Sequence, residues 1–135
     1  MSWEQVHTIY KFWDGPLQGI ADFEGQPHMY EREFSKAEDE FTDRYWLSPI
    51  EPELMSLVLE SSSILHRWWE AFLQDKTTRE TYPALPEDRA RHETLKQAIG
   101  DRFRIDPERS VQRHCQFRYV GEDRKCEVEW SPITD

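Results

Sequence analysis

Histidine and carboxylate side chains have metal-ligand spacing at one place in the sequence. His66 and Glu70 are four residues apart, so both would project from the same face of a helix. A zinc site needs three or four ligands in a recognisable spacing, and neither a third ligand nor an H-E-x-x-H pattern accompanies this pair. The sequence therefore predicts no metal and no cofactor.

The two cysteines are expected to be inert thiols. Pairing Val120 with Lys125 in a C-terminal hairpin places Cys115 and Cys126 on its core-facing side. In this register they lie roughly 13 Å apart, beyond the ~7 Å Cα separation that a disulfide spans. No G-x-S-x-G, C-x-x-C or phosphate-binding glycine loop is present. We therefore assign no catalytic residue.

A pair of glutamates offers a second kind of chemistry. Glu31 and Glu33 would share one face of a strand, and with His28 they would suit a small hydrolase that uses acid–base catalysis. The same charges also suit the solvated face of an edge strand, because they discourage pairing with another chain. The sequence favours the edge strand, and the enzyme is the alternative.

An acidic run is the candidate partner-binding segment. Residues 14–60 hold twelve acidic and three basic residues, which accounts for −9 of the net charge of −10. Within it, Glu38, Asp39, Glu40 and Asp43 are expected on an exposed link between a strand and a helix. This charge disfavours nucleic acid and membranes as partners and favours a basic protein.

Basic residues concentrate near the C-terminus, between residues 102 and 125. They are Arg102, Arg104, Arg109, Arg113, Arg118, Arg124 and Lys125. Arginines beside aromatic residues can bind single-stranded nucleic acid. Acidic residues interrupt this strip, however, and its aromatic residues fit a core. Nucleic-acid binding is therefore not favoured.

The longest helical pattern covers residues 48–75. Ser48 and Glu51 have the spacing of a capping box, and the run Ser61, Ser62, Ser63 predicts a bend. Apolar residues follow with helical spacing. The predicted buried stripe comprises Leu54, Leu57, Val58, Ser61, Leu65, Trp68 and Phe72. Trp69 and Leu73 widen it, and Ile64 lies beside it.

The remaining segments predict strands and a second helix. Residues 6–34 alternate as strands, with a hairpin turn at Glu24 and Gly25 and with Ile20 opposite Met29. A polar surface helix runs over residues 86–100, and a hairpin joins residues 111–120 to 125–130. We therefore predict a single α+β domain over residues 1–135. Its antiparallel sheet, built from the N-terminal strands and the C-terminal hairpin, is packed by the long helix and the shorter surface helix.

Three segments resemble an uncharacterised family of small bacterial proteins. They read WDGP followed by GIADFEGQPH at residues 13–28, and PALPEDRARH at residues 83–92, with IDP at residues 105–107. The resemblance extends over the whole chain. It implies a bacterial cytoplasmic protein, but no activity and no site.

The preferred function is a non-catalytic acidic binding or inhibitor protein. An immunity-like protein that neutralises a basic partner is one form of it, and a subunit of a larger assembly with exposed tryptophans is a third possibility. No apolar stretch reaches the ~18 residues that span a bilayer. The first residues show no basic region followed by an apolar one, so a cytoplasmic location is expected.

Overall fold

The computed structural model describes residues 2–122 and 125–134. Its six strands are β1 (Trp3–Phe12), β2 (Pro16–Phe23), β3 (Gln26–Ser35), β4 (Glu40–Pro49), β5 (Val111–Val120) and β6 (Lys125–Pro132). Two α-helices, α1 (Pro52–Leu73) and α2 (Arg89–Ile99), and two 3₁₀ turns, Arg79–Thr81 and Pro86–Asp88, lie between β4 and β5. The chain divides into two compact units, the barrel unit (Met1–Ile50 with Arg104–Asp135) and the helical unit (Glu51–Phe103). The single domain over residues 1–135 stays a prediction.

The six strands close into an antiparallel barrel in the order in which they occur in the chain. The closing contact joins β1 to β6 and pairs Trp3 with Glu129, Glu4 with Val128, and Gln5 with Glu127. The predicted α+β sheet packed by a long helix is therefore wrong. Strands of eight to ten residues twist as they pair, and closure removes the two edges that an open sheet would expose.

Both predicted hairpins are confirmed in their registers. Ile20 pairs with Met29 across the β2–β3 turn, and Val120 pairs with Lys125 across the β5–β6 turn. At the first turn, Glu24 and Gly25 have positive φ angles of 54° and 77°, as a two-residue hairpin requires. The Glu4 carboxylate accepts hydrogen bonds from the backbone N–H groups of both turn residues, at 3.2 and 2.7 Å.

The start of the long helix was predicted wrongly. Ser48 is a fully buried residue of β4, and its hydroxyl accepts a hydrogen bond from the Asp106 N–H at 3.2 Å. The helix begins instead at Pro52, after Glu51 as its N-cap residue. It also runs without a break through the three serines, where the Ser63 hydroxyl donates to the Leu59 carbonyl at 3.1 Å.

Aromatic side chains fill the inside of the barrel. Tyr30, Tyr45, Phe117 and Trp130 form a cluster with ring centroids 5.7–6.3 Å apart. Around it pack Ala21, Leu47 and Val128, with Val6, Phe23 and Cys115 partly buried.

Polar groups in this interior are bonded to backbone carbonyls. The Tyr45 hydroxyl donates to Pro16 O at 2.6 Å, and the Trp130 indole N–H donates to Asp22 O at 2.8 Å. Gly19 also has a structural role, because a Cβ there would overlap the Thr8 carbonyl. The two cysteines are free, as predicted.

The helical unit is a pair of α-helices linked by bidentate ion pairs, in each of which one arginine donates two hydrogen bonds to one carboxylate. Arg67 on α1 donates twice to Asp88, at 3.0 Å each, and Arg91 on α2 donates to Glu60 at 2.6 and 2.8 Å. These hydrogen bonds hold the pKa values of Asp88 and Glu60 below their ordinary range. Among the described residues, no helix combines the length and the apolar character needed to cross a membrane.

Trp68 supports the helical unit from inside, whereas its neighbour Trp69 is exposed. Trp68 is 3% exposed, stacks on Phe72 with ring centroids 5.0 Å apart, and donates its indole N–H to the Thr81 hydroxyl at 2.8 Å. We expect Trp68→Ala to lower the free energy of unfolding by about 3–5 kcal/mol, because it leaves a cavity and removes the hydrogen bond from the indole to Thr81.

The matched control for this substitution is Trp69→Ala, since Trp69 is 46% exposed. It should cost less than half as much in urea unfolding. Equal costs for the two variants would contradict the buried position of Trp68.

A buried thiol and two buried phenol groups in the barrel predict a loss of stability at alkaline pH. Burial raises the pKa of the Cys115 thiol to about 12 and raises those of Tyr30 and Tyr45 well above their ordinary value. In the unfolded chain these groups ionise from about pH 9 and pH 10 upward, while in the barrel they stay neutral. These groups therefore do not lower the free energy of unfolding below about pH 9. Above that pH the free energy of unfolding falls, by up to about 1.4 kcal/mol per group and pH unit.

The check is the urea midpoint as a function of pH, compared between the wild type and Cys115→Ala. The wild-type midpoint should fall from about pH 9 upward, and the variant's midpoint should fall less steeply just above that pH. A midpoint that stays constant up to about pH 11 would refute the neutral, buried state of these groups.

Candidate binding cleft

An open cleft of about 570 Å³ lies on the outside of the barrel, where β3 and β4 approach their connecting turn. All of its lining belongs to the barrel unit. The lining comprises Glu31, Arg32, Glu33, Phe34, Ser35, Glu38, Phe41, Thr42 and Trp46. Strand alternation explains the position of this surface. Tyr30 and Leu47 face the barrel interior, so their neighbours Glu31 and Trp46, which pair with each other, face outward.

A bulge in the β3–β4 pairing shapes the cleft. Arg32 pairs with Tyr45, whereas Phe34 pairs with Phe41, so β4 has two more residues than β3 over this step. Bulges bend a strand and redirect its side chains. Here Thr42 lies in the extra stretch, and its hydroxyl reaches the carboxylate of Glu33 at 3.4 Å.

Glu33 is held in place on both of its carboxylate oxygens. Thr42 donates to one oxygen, and the Gln112 side-chain amide, from β5, donates to the other at 2.5 Å. Glu33 is only partly exposed, whereas Glu31 and Glu38 are exposed. One carboxylate of the cleft is therefore fixed by the barrel wall before any ligand arrives.

Aromatic rings give the cleft a second property. Phe34 and Phe41 meet edge to face, with ring centroids 5.1 Å apart, and Trp46 adds an indole. Arg32 places its guanidinium carbon 5.8 Å from the centre of the Phe41 ring and donates from Nε to the Thr42 carbonyl at 2.6 Å. The protein thus already holds one cation against the Phe41 ring.

The combined electrostatics favour a cationic ligand. Three glutamates and one arginine give the lining a net charge of −2. Carboxylates supply acceptors for a charged donor, and aromatic faces attract the cation that carries it. This lining is chemically complementary to a guanidinium or ammonium group and part of its alkyl chain.

The four residues predicted to bind a partner do not all lie at the cleft. Glu38 lines it, Asp39 lies in the β3–β4 turn with φ 55°, and Glu40 begins β4. Asp43 lies within β4 with its side chain 82% exposed, and its Oδ2 is 3.7 Å from Nδ1 of His114. All four residues are exposed, as predicted, but the assignment to a link is wrong for Glu40 and Asp43, which are strand residues. As a partner-binding set the four stay a prediction.

Sequence reasoning assigned Glu31 and Glu33 to the face of an edge strand, and this was wrong. β3 pairs with β2 on one side and with β4 on the other, so it has no free edge. The aromatic lining from Phe34, Phe41 and Trp46 was missed as well. The sequence contained only a weak indication of this aromatic lining, because residues 40–43 first had to be recognised as part of a strand.

His28 does not join the carboxylates of the cleft. Its Nδ1 lies 2.8 Å from the carbonyl oxygen of Gln26, and its ring meets Phe23 edge to face at 5.2 Å. His66 and Glu70 are both exposed, and Nε2 of His66 lies 3.1 Å from Oε1 of Glu70. Within the described part of the chain, no three His, Cys, Asp or Glu side chains gather as a metal site would need.

Several residues of the basic strip are engaged within the chain. Arg118 bonds Glu127 at 2.8 Å and places its guanidinium 3.9 Å from the centre of the Trp3 ring. Arg113 lies over the ring of Phe23 at 5.2 Å. Arg102 is in the helical unit, and Arg124 lies outside the described residues.

Comparison of the chain with protein-family models, curated proteins and solved structures gives no match. The functional assignment therefore depends on the geometry of the chain itself.

Proposed function

We propose that this protein is a non-catalytic acidic binding protein whose cleft receives a basic side chain of a partner protein. The observation that supports this most is one open cleft with three glutamates and three aromatic rings, in which Glu33 is fixed by Thr42 and Gln112. The cleft opens outward from the barrel wall, so a side chain of a second protein can enter it without rearrangement of the strands.

Electrostatic attraction would act on the partner before contact. The net charge is −10, and acidic residues dominate the part of the chain that forms β2, β3 and β4. Complementary charge raises association rates and is weakened by salt. An inhibitor that covers a basic active site, in the manner of an immunity protein, would use this property directly.

A hydrolase has less support from the same geometry. The cleft does contain Glu31 and Glu33, but His28 is not part of its lining and contacts Gln26 and Phe23 instead. The proposal also places the protein in the cytoplasm, because Cys115 and Cys126 are free thiols and reduced thiols persist in that compartment.

Titration with N-acetyl-L-arginine amide tests the cleft by NMR. Chemical-shift changes in the backbone amides should concentrate on residues 31–35 and 41–46. The citrulline analogue, which has the same shape without the charge, should bind much more weakly. Equal shifts with both compounds, or shifts spread over the whole barrel, would contradict a cation site.

Two variants test the carboxylates individually. Glu31→Gln and Glu33→Gln should each weaken arginine-amide binding about two- to fivefold, the loss expected for one partly exposed ion pair of about 0.5–1 kcal/mol. Glu108→Gln is the matched control, since Glu108 is an exposed acid of the barrel unit outside the cleft. If all three variants bind alike, the affinity comes from overall charge and the cleft is not the site.

A further inference from the structure

Three hairpin turns lie at the same end of the barrel. Consecutive strands alternate in direction, so the β1–β2, β3–β4 and β5–β6 connections share an end, and the other connections lie opposite. Two strand spacings of about 4.8 Å separate neighbouring hairpins perpendicular to the strands, and the tilt of the strands in a closed barrel adds a stagger along them. We name this surface the turn end and define it as residues 11–15, 34–41, 119–122 and 125.

Exposed aromatic residues concentrate at the turn end. Among the described residues of the barrel unit, six large hydrophobic side chains are exposed, and all but Val111 belong to this surface. The five are Phe12, Trp13, Phe34, Phe41 and Tyr119. Exposed aromatic residues gathered on one surface are typical of protein interaction sites, whereas scattered ones are ordinary.

Trp13 is the most exposed of them, at 74%. Its backbone N–H donates to the Gly15 carbonyl at 2.9 Å, and the turn is closed by the pairing of Phe12 with Pro16. Asp14 and Gly15 adopt positive φ angles of 52° and 122° to make this turn. The indole is therefore presented on an ordered turn, which lowers the entropy lost when it binds.

Exposed acidic residues outnumber exposed basic residues at the turn end. Exposed carboxylates at the turn end belong to Asp14, Glu38, Asp39, Glu40 and Glu122, and the exposed bases are Lys11, Lys36 and Lys125. The surface is also continuous with the cleft, because Phe34, Glu38 and Phe41 belong to both. A ligand that extends from the cleft across this rim meets negative charge and aromatic faces together.

We propose that the turn end is a docking surface for a basic segment of a partner protein, with Trp13 as its anchor. The segment carries arginine next to a large apolar side chain. Its arginine enters the cleft and its apolar side chain packs on Trp13. This inference rests on the proposed function, since it extends the same contact beyond the cleft. Tryptophan is among the residues that contribute most to binding at such interfaces.

The test uses random peptides displayed on phage and selected against the wild-type protein at low salt. Selected sequences should combine arginine or lysine with a neighbouring aromatic or aliphatic residue. Synthetic copies should bind Trp13→Ser at least about tenfold more weakly than wild type, as expected for an anchor residue. The same variant should keep its affinity for arginine amide, because Trp13 does not line the cleft.

Trp69→Ser is the matched control, since Trp69 is an exposed tryptophan of the helical unit and should not affect peptide binding. Selected peptides without basic residues, or binding that Trp13→Ser leaves unchanged, would overturn the docking surface while arginine-amide binding still stands. Loss of arginine-amide binding in the wild type would instead overturn the proposed function, and this inference with it.

Two other occupants give distinct results, and each would overturn the proposal. Co-sedimentation with phosphatidylcholine vesicles that depends on Trp13 would identify a lipid surface. Dimerisation in sedimentation velocity that is abolished by Trp13→Ser would identify a second copy of this chain.

Discussion

The contact between β1 and β6 is the constraint on which the barrel unit depends. Three residue pairs join the first strand to the last and turn an open sheet into a closed wall. Once the wall is closed, each strand has one face inside and one outside. Tyr30 and Trp130 are then interior residues, and Glu31 and Trp46 are exterior ones. The acidic cleft exists on this outer surface because the aromatic core occupies the inner one.

The barrel interior is filled by a small number of aromatic rings. Six strands enclose a narrow space, and a few large rings fill it with less loss of side-chain freedom than many aliphatic groups. Their polar atoms need partners, and the hydroxyl of Tyr45 and the indole of Trp130 find them in the carbonyls of Pro16 and Asp22. These bonds tie the rings to β2. Gly19, also on β2, gives the room that the Tyr30 ring requires.

Local patterns predicted the hairpins, because their determinants lie within a few residues. Glu24 and Gly25 define a turn, and the register of the paired residues follows from it, as it does at the β5–β6 hairpin. Closure could not be predicted in this way, since it joins residues more than a hundred positions apart and no local signal marks Glu4 and Val128 as partners.

The misplaced residues have physical reasons too. Ser48 has the sequence spacing of a helix cap, but its hydroxyl is used by the N–H of Asp106, a residue far along the chain. Asp43 was assigned to a link because the outer face of the barrel accommodates charged residues. Such residues obscure the alternation of apolar and polar side chains that marks a strand. The cleft depends on the bulge and on a bond from Gln112 to Glu33, so its glutamates were visible in the sequence but their arrangement was not.

The most direct test of barrel closure is the cross-strand nuclear Overhauser effect between backbone protons of Glu4 and Val128. The closed barrel predicts a contact between these residues, which pair across the β1–β6 seam. An open sheet would leave both on separate edges with fast-exchanging amides and no such contact. That result would contradict closure and, with it, the inner and outer faces on which the cleft and the turn end depend.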